Sequence, residues 1–336
     1  MADNLYGQKN INSDVFKEPV PDCAADTGDP FGRYRNAAIA LGNFDGMHLG
    51  HMKLIEILTR RASELDIPSL VYTFHEHPKN VIYGKDSVKL ITCADKKREL
   101  LGSTAVDGFY VERFDRDFAS QTPETFVKRV LVDKFCVRLV VVGAGFRFGS
   151  GGRGHTGLLK ELGAKSGFDV VEADPVTARG AGTAAGGIIS SSGIRALICS
   201  GQMEKAGALL GRLFSMKCWI AAYGKASGAI NASRAVMYPD ARMVAPGPGV
   251  YIVSAYIGGV LYRGFAGVNA GIGGVKNVTA IKKYILDFDG DLHEAEIEIF
   301  FYKKLDGVLS EDNEEPDAAR LIRFASETAR YFESPD

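Results

Sequence analysis

The sequence predicts an α/β domain built on a parallel sheet, followed by a smaller antiparallel β module and a C-terminal helix. Three observations carry this. Up to Ala173, short apolar strands alternate with helical patterns, and one strand, Leu139–Val142, reads LVVV without a polar residue, as expected of strands covered on both faces. From Phe214 the pattern changes to strands joined by glycine turns, the signature of an antiparallel module. Beyond Glu311 a polar linker leads into a stretch with Ala319, Leu321, Ile322, Phe324 and Ala325 at helical spacing.

Residues 1–35 are rich in Asp, Asn, Pro and Gly without steady periodicity and read as a lead-in. Ala38–Leu41 is the first strand. Met47–Leu65 is a helix with Leu49, Leu54, Ile55 and Leu58 along one side. Ser69–Phe74 is a strand, Asp95–Leu101 a helix after Thr92, and Gly108–Val111 a strand. Thr122 or Pro123 starts a helix through Val132, with proline at an early helical position. His155–Leu162 is helical and Asp169–Ala173 is a strand. Arg179–Gly187 is a glycine-rich loop, and Gly193–Leu210 one helix. The second module then contributes Lys217–Tyr223, Gly249–Ile257, Val260–Ala266, Ala280–Asp287 and Glu294–Tyr302. The expected domains are 36–213 and 214–336.

The chain of 336 residues is long enough for two cores. Its 40 basic and 41 acidic side chains nearly cancel, which gives no electrostatic case for a nucleic-acid or membrane partner. The five cysteines are scattered, odd in number and lack zinc or redox spacing, so no disulfide framework is expected. With neither an apolar signal core nor a run long enough to span a bilayer, the expected compartment is the reducing cytoplasm. Assembly into a homo-oligomer is left open.

The chemistry centres on IALGNFDGMHLGHMKL, residues 39–54. A strand ends at Leu41. Gly42, Asn43, Phe44, Asp45 and Gly46 break the chain direction, and a helix begins with His48 and His51 three residues apart. A strand turning into a helix N-terminus is a phosphate site, because free N–H groups and the helix dipole both favour an anion there. Gly50 lets a phosphate or ring approach the backbone. Three further strings attract attention. TFHEHP, 73–78, closes a strand and presents His75 and His77, of which His77 is the stronger candidate. VGAGFRFG, 142–149, is a strand entering a glycine-rich loop with Phe146, Arg147 and Phe148. ISSSGIR, 189–195, places Ser190, Ser191 and Ser192 at a helix start, where hydroxyls cap N–H groups or bond phosphate, with Arg195 one turn on for a two-pronged phosphate contact.

GNFDGMHLGH closely resembles the opening motif of the bacterial FAD synthetase (FMN adenylyltransferase) family, and its His-Leu-Gly-His matches the HxGH signature of nucleotidylyl transferases. The other three strings resemble the family's later motifs in the same order, from Ile39 to Phe214, although Glu76 stands where proline is common, Gly145 where Asp or Asn is usual, and Ser192 where Thr is usual. The resemblance implies a Rossmann-like nucleotidylyl transferase domain, with ATP and FMN as substrates and FAD and pyrophosphate as products. Carried onto this chain, it gives His48, His51 and Arg195 catalytic roles. Gly42, Asn43, Phe44, Asp45, Gly50, Ser191 and Ser192 would bind ATP. His77, Phe146, Arg147 and Phe148 would bind flavin. Mg2+ would bridge the leaving group through phosphates and water, with no protein side chain assigned as its ligand.

The second half resembles the family's riboflavin kinase module, a small antiparallel β-barrel, over about residues 214–304. Its framework strings are present, but its active-site strings differ. The Pro-Thr-Ala-Asn segment aligns with Arg234, Ala235, Val236 and Met237, and the catalytic glutamate falls at Lys282, expected to be exposed and protonated. The expectation is therefore a barrel without kinase activity. A bifunctional enzyme and a non-catalytic flavin or nucleotide sensor are the alternatives. Asp287, Asp289 and Asp291 read as a solvated turn rather than a metal site.

Overall fold

The computed structural model describes residues 34–178, 187–226, 228–270, 279–290, 292, 296–307, 309 and 318–333. The lead-in before Tyr34, nearly all of the glycine-rich 179–187 loop and Asp291 therefore lie outside the described residues. The chain forms two compact units.

The first holds residues 34–178 and 187–190. Its five strands are β1 (Ala38–Leu41), β2 (Ser69–Phe74), β3 (Gly108–Glu112), β4 (Leu139–Gly143) and β7 (Asp169–Ala173), and they form one sheet in the order β3-β2-β1-β4-β7. Every pairing is parallel. This is the Rossmann-like arrangement, and both faces are apolar. One face collects Ile39, Leu41, Leu70, Tyr72, Val140 and Val142, the other Ala38, Ala40, Val71, Leu139 and Val141. Strand order reverses between β1 and β4, and in such sheets ligands bind beyond the carboxyl ends at that crevice.

Helix α1 (Leu49–Glu64) starts later than the pattern suggests, because His48 is its N-cap. Leu54, Ile55, Leu58 and Ala62 are its buried side, whereas Leu49 faces outward. A five-residue helix α2 (Pro78–Ile82) follows β2, and α3 (Ala94–Gly102) precedes β3. Helix α4 (Arg116–Ser120) and α5 (Pro123–Phe126) come next, and α5 continues to Lys134 as a wider coil with i+5 bonding. The two-residue strands β5 (Arg147–Phe148) and β6 (Gly154–His155) pair antiparallel. Helix α6 (Thr156–Ser166) is capped by the His155 side chain rather than containing it.

The second unit begins at Ser191. The single helix expected over 193–210 is two, α7 (Ser191–Cys199) and α8 (Met203–Leu210), broken at Gly201 with φ 78°. The closed six-stranded barrel consists of β8 (Phe214–Lys225), β9 (Ala232–Pro239), β10 (Gly249–Ile257), β11 (Val260–Ala270), β12 (Thr279–Leu286) and β13 (Glu296–Leu305), in the order β10-β11-β12-β9-β8-β13. Helix α9 (Ala318–Glu333) lays Leu321 and Phe324 on Val250, Phe265 and Tyr284, while Ile322 faces outward.

Strand β9 was not foreseen. Residues 234–237 are regular strand, with Ala235 and Met237 fully buried and paired to Lys283 and Ile281 of β12. Lys282 is only 7% exposed, which corrects the expectation of a solvated lysine. Desolvation, with Arg234 close by, pushes its pKa below the ordinary lysine value. In the acidic turn, Asp287 accepts from Asn231 Nδ2 at 2.9 Å and Asp289 pairs with Lys225 at 3.0 Å.

Candidate active site

The loop between β1 and α1 is tightly constrained. Phe44, Gly46 and Met47 have φ of 49°, 85° and 41°, a left-handed run that includes two residues with side chains. Each such non-glycine residue costs about 1–3 kcal/mol and persists only where its surroundings hold it. Asp45 is the holder. Its carboxylate, 4% exposed, accepts from the backbone N–H of Ile91 at 3.0 Å and of Thr92 at 3.2 Å, while Thr92 Oγ1 accepts from Gly46 N–H at 3.1 Å. Phe44 is fully buried in the core beneath, its ring 5.1 Å from His51. Phe44 and Asp45, expected at the nucleotide, are thus turned into the protein. They shape the turn.

That turn delivers His48 and His51 as a stacked pair, with ring centroids 3.7 Å apart and planes 14° from parallel. His48 Nδ1 accepts from the His51 backbone N–H at 3.3 Å. In the neutral ring this places the proton on Nε2, leaving a donor at the other end of the imidazole. Gly50 lies against the His48 ring: a Cβ there would come within 3.1 Å of the imidazole and 3.7 Å of the Ile189 carbonyl. The start of ISSSGIR therefore reaches the histidine turn. Ile189 is held there by its N–H to Val176 O at 2.9 Å and by the bridge between Thr177 and Ile188. Ser191, Ser192 and Arg195 follow on α7, which belongs to the other unit.

On the opposite side of β1, a cleft of about 770 Å³ opens at the carboxyl ends of β1, β2 and β4. Its walls include Tyr72, Phe74, Phe118, Phe126 and the pair Phe146 and Phe148, whose rings stack at 5.7 Å and 16°. His77 and Arg147 line the same cleft, so all four expected flavin residues meet there. His77 also caps α2, its Nδ1 accepting from Lys79 N–H at 3.2 Å. Gly42 and Asn43 line the cleft as well, and lead directly into the His48 turn. Gly145 adopts φ 73° with open space around its Cβ position. The backbone explains glycine there, and Asn or Asp tolerates the same conformation.

Sequence reasoning missed the aromatic wall from Tyr72, Phe118 and Phe126, which reads as ordinary core. It also missed the clamp from Ile91 and Thr92, whose backbone donors carry no side-chain signal. Among the described residues no group of three His, Cys, Asp or Glu side chains could hold a metal, and no helix is long and apolar enough to cross a membrane.

The parallel sheet carries an imidazole-bearing helix start at its reversal point, beside an aromatic cleft, and the family it matches is one of nucleotidyltransferases. Residues 32–185 match the FAD synthetase family model and residues 219–310 the riboflavin kinase family model. The chain is 30% identical to a bifunctional riboflavin kinase/FMN adenylyltransferase of Buchnera aphidicola subsp. Schizaphis graminum, over 80% of this chain and 86% of that one. It is 31% identical to the protein of the same name from Listeria monocytogenes, over 88% of this chain and 93% of that one. The chain belongs to the bifunctional riboflavin kinase/FMN adenylyltransferase family. A crystal structure of a macrolide-efflux protein from Streptococcus pneumoniae superposes with a TM-score of 0.75 at 24% identity, over 90% of this chain and 95% of that one, a likeness of fold alone.

Proposed function

We propose that the chain transfers AMP from ATP to FMN, giving FAD and pyrophosphate, and that its barrel no longer phosphorylates riboflavin. The observation that carries the first part is the continuity from the aromatic cleft through Gly42 and Asn43 to the stacked His48 and His51. The cleft has the volume of a small-molecule site. Its stacked phenylalanines suit an isoalloxazine ring, with Arg147 and His77 as polar contacts.

A phosphate oxygen of FMN attacks the α-phosphorus of ATP in line. The new P–O bond forms as the bond to the β-phosphate oxygen breaks, and pyrophosphate leaves with that electron pair. The nucleophile is already an anion, so the protein's task is to align two anions and stabilise the charge that develops. His48 and His51 supply donors to the ATP phosphates at a helix start whose dipole also favours them. Gly42, Asn43 and Gly50 allow the nucleotide close to the backbone, while Asp45 and Phe44 hold the turn. By the family resemblance, Ser191, Ser192 and Arg195 would hold the β- and γ-phosphates. Mg2+ would supply charge neutralisation at the leaving group. With Asp45 committed to backbone donors, it would be held by phosphate oxygens and water, as is common for this ion.

The second part rests on the residues at the positions where the resemblance expects the kinase motif. Lys282 pairs across strands with Val236, and Arg234 presses on Lys282 electrostatically. Where the family resemblance expects a carboxylate base, a hydroxyl and an amide, this barrel carries Lys282 and the aliphatic side chains of Ala235 and Met237, which supply neither the hydroxyl nor the amide. The match of residues 219–310 to the riboflavin kinase model favours the rival reading of a bifunctional enzyme. Riboflavin with γ-labelled ATP and Mg2+ distinguishes them: no labelled FMN is expected, and its formation at a rate comparable to FAD synthesis overturns the loss of kinase activity.

A further inference from the structure

Lys97 lies on α3 within a charged run, DKKRE, yet it is buried. Its Nζ donates to Phe74 O at 2.7 Å and to Asn43 O at 3.4 Å. These carbonyls end β2 and open the loop after β1, and both residues line the 770 Å³ cleft. The Asn43 carbonyl also accepts from Thr73 Oγ1 at 3.0 Å, so the two strand ends are tied twice. Two residues on from Asn43 is Asp45, which leads into the His48 turn, and three on from Phe74 is His77. We propose that Lys97 is a positioning residue for adenylyl transfer: its ammonium group fixes the spacing between the nucleotide-binding turn and the flavin cleft. This rests on the adenylyl-transfer reading of that site.

A buried cation is costly, and a lysine–carbonyl tie needs the charge to be strong. The groups around it are Asp45 on the β1 turn, His75, Glu76 and His77 after β2, and Arg98 on its own helix. Burial is the largest influence on it and lowers its pKa to about 8, against the raising effect of Asp45. The sign then separates two roles. A lowered lysine pKa means the unfolded chain binds the proton more tightly, so this group's contribution to stability rises as pH climbs from about 8 toward the unfolded value. A positioning role through the charged form makes turnover fall over the same range.

The test compares wild type, Lys97→Met and Lys97→Arg in FAD synthesis from pH 6.5 to 9.5, with FMN affinity read separately by flavin fluorescence. Lys97→Met is expected to lower kcat at least tenfold and weaken FMN binding several-fold. Lys97→Arg should recover part of the rate and keep it at alkaline pH, because arginine does not lose its proton there. Lys97→Met with rate and FMN affinity within twofold of wild type overturns the assignment. So does Lys97→Arg with the wild-type alkaline fall, a result readable even if the methionine variant fails to fold. Wild type that binds FMN but makes no FAD overturns the transfer reading itself, and FMN affinity unchanged in Lys97→Met then overturns the Lys97 assignment separately.

Discussion

Lys283 offers a quantitative test of the barrel. Strand alternation puts it on the inner wall, between Ala235 of β9 and Ala266 of β11, and it is fully buried. Its Nζ has no hydrogen-bond partner among the described residues. Burial lowers its pKa to about 7, against a raising effect of Cys218, and the Cys218 thiol is itself pushed up to about 12 by burial. Moving from the ordinary 10.5 to about 7 means the unfolded chain holds the proton more tightly than the folded one. Stability therefore rises with pH between those two values, by on the order of 1 kcal/mol per pH unit. Lys283→Met keeps the length and removes the buried charge, a replacement that is often stabilising. The chain's single tryptophan, Trp219, is 59% exposed on β8 and reports barrel unfolding without signal from the sheet domain. Urea unfolding followed at Trp219 should show Lys283→Met more stable than wild type at pH 7, by several kcal/mol at most. The gap should close as pH rises toward 9.5. A variant less stable than wild type at pH 7, with an unchanged pH slope, refutes the placement of a charge-starved lysine in the barrel interior.

Four other substitutions probe the transferase site. His48→Ala or His51→Ala should lower kcat for FAD synthesis about 10²–10³-fold, the usual cost of removing a donor to developing charge; steady-state rates near wild type would remove their assigned role. Gly50→Ala should raise helix propensity by about 1 kcal/mol yet slow turnover, because its Cβ meets the His48 ring at 3.1 Å; thermal melting beside kinetics checks that the two move apart, and a variant as active as wild type contradicts the close fit. Gly145→Asn should be accommodated at φ 73° in open space and, if its amide reaches flavin, tighten FMN binding by about 2–10-fold, measured by fluorescence titration.

The parallel sheet was legible because its strands are short, apolar on both faces and separated by capped helices. The histidine turn and the flavin loop were legible because chain direction, glycine and imidazole coincide in a few residues. What the sequence hid is non-local. Asp45 reads as a loop acid, and only the fold brings Ile91 and Thr92, some 46 residues on, to its oxygens. Lys97 reads as one of several solvated lysines; its only signal is the four-residue spacing to buried Leu101 on the same face of α3. Strand β9 was hidden because ASRAVMYP mixes polar and apolar residues and ends in proline. The break at Gly201 falls inside an otherwise continuous helical pattern, where a glycine with φ 78° ends α7 and leaves room against Tyr251 and Lys304.

The measurement closest to the central claim follows FAD and pyrophosphate together when the full-length protein is given FMN, ATP and Mg2+. Equal amounts of the two products, appearing at one rate and falling together in His48→Ala, are the predicted result. ATP consumed without FAD, or no turnover from a protein that binds both substrates, contradicts the account.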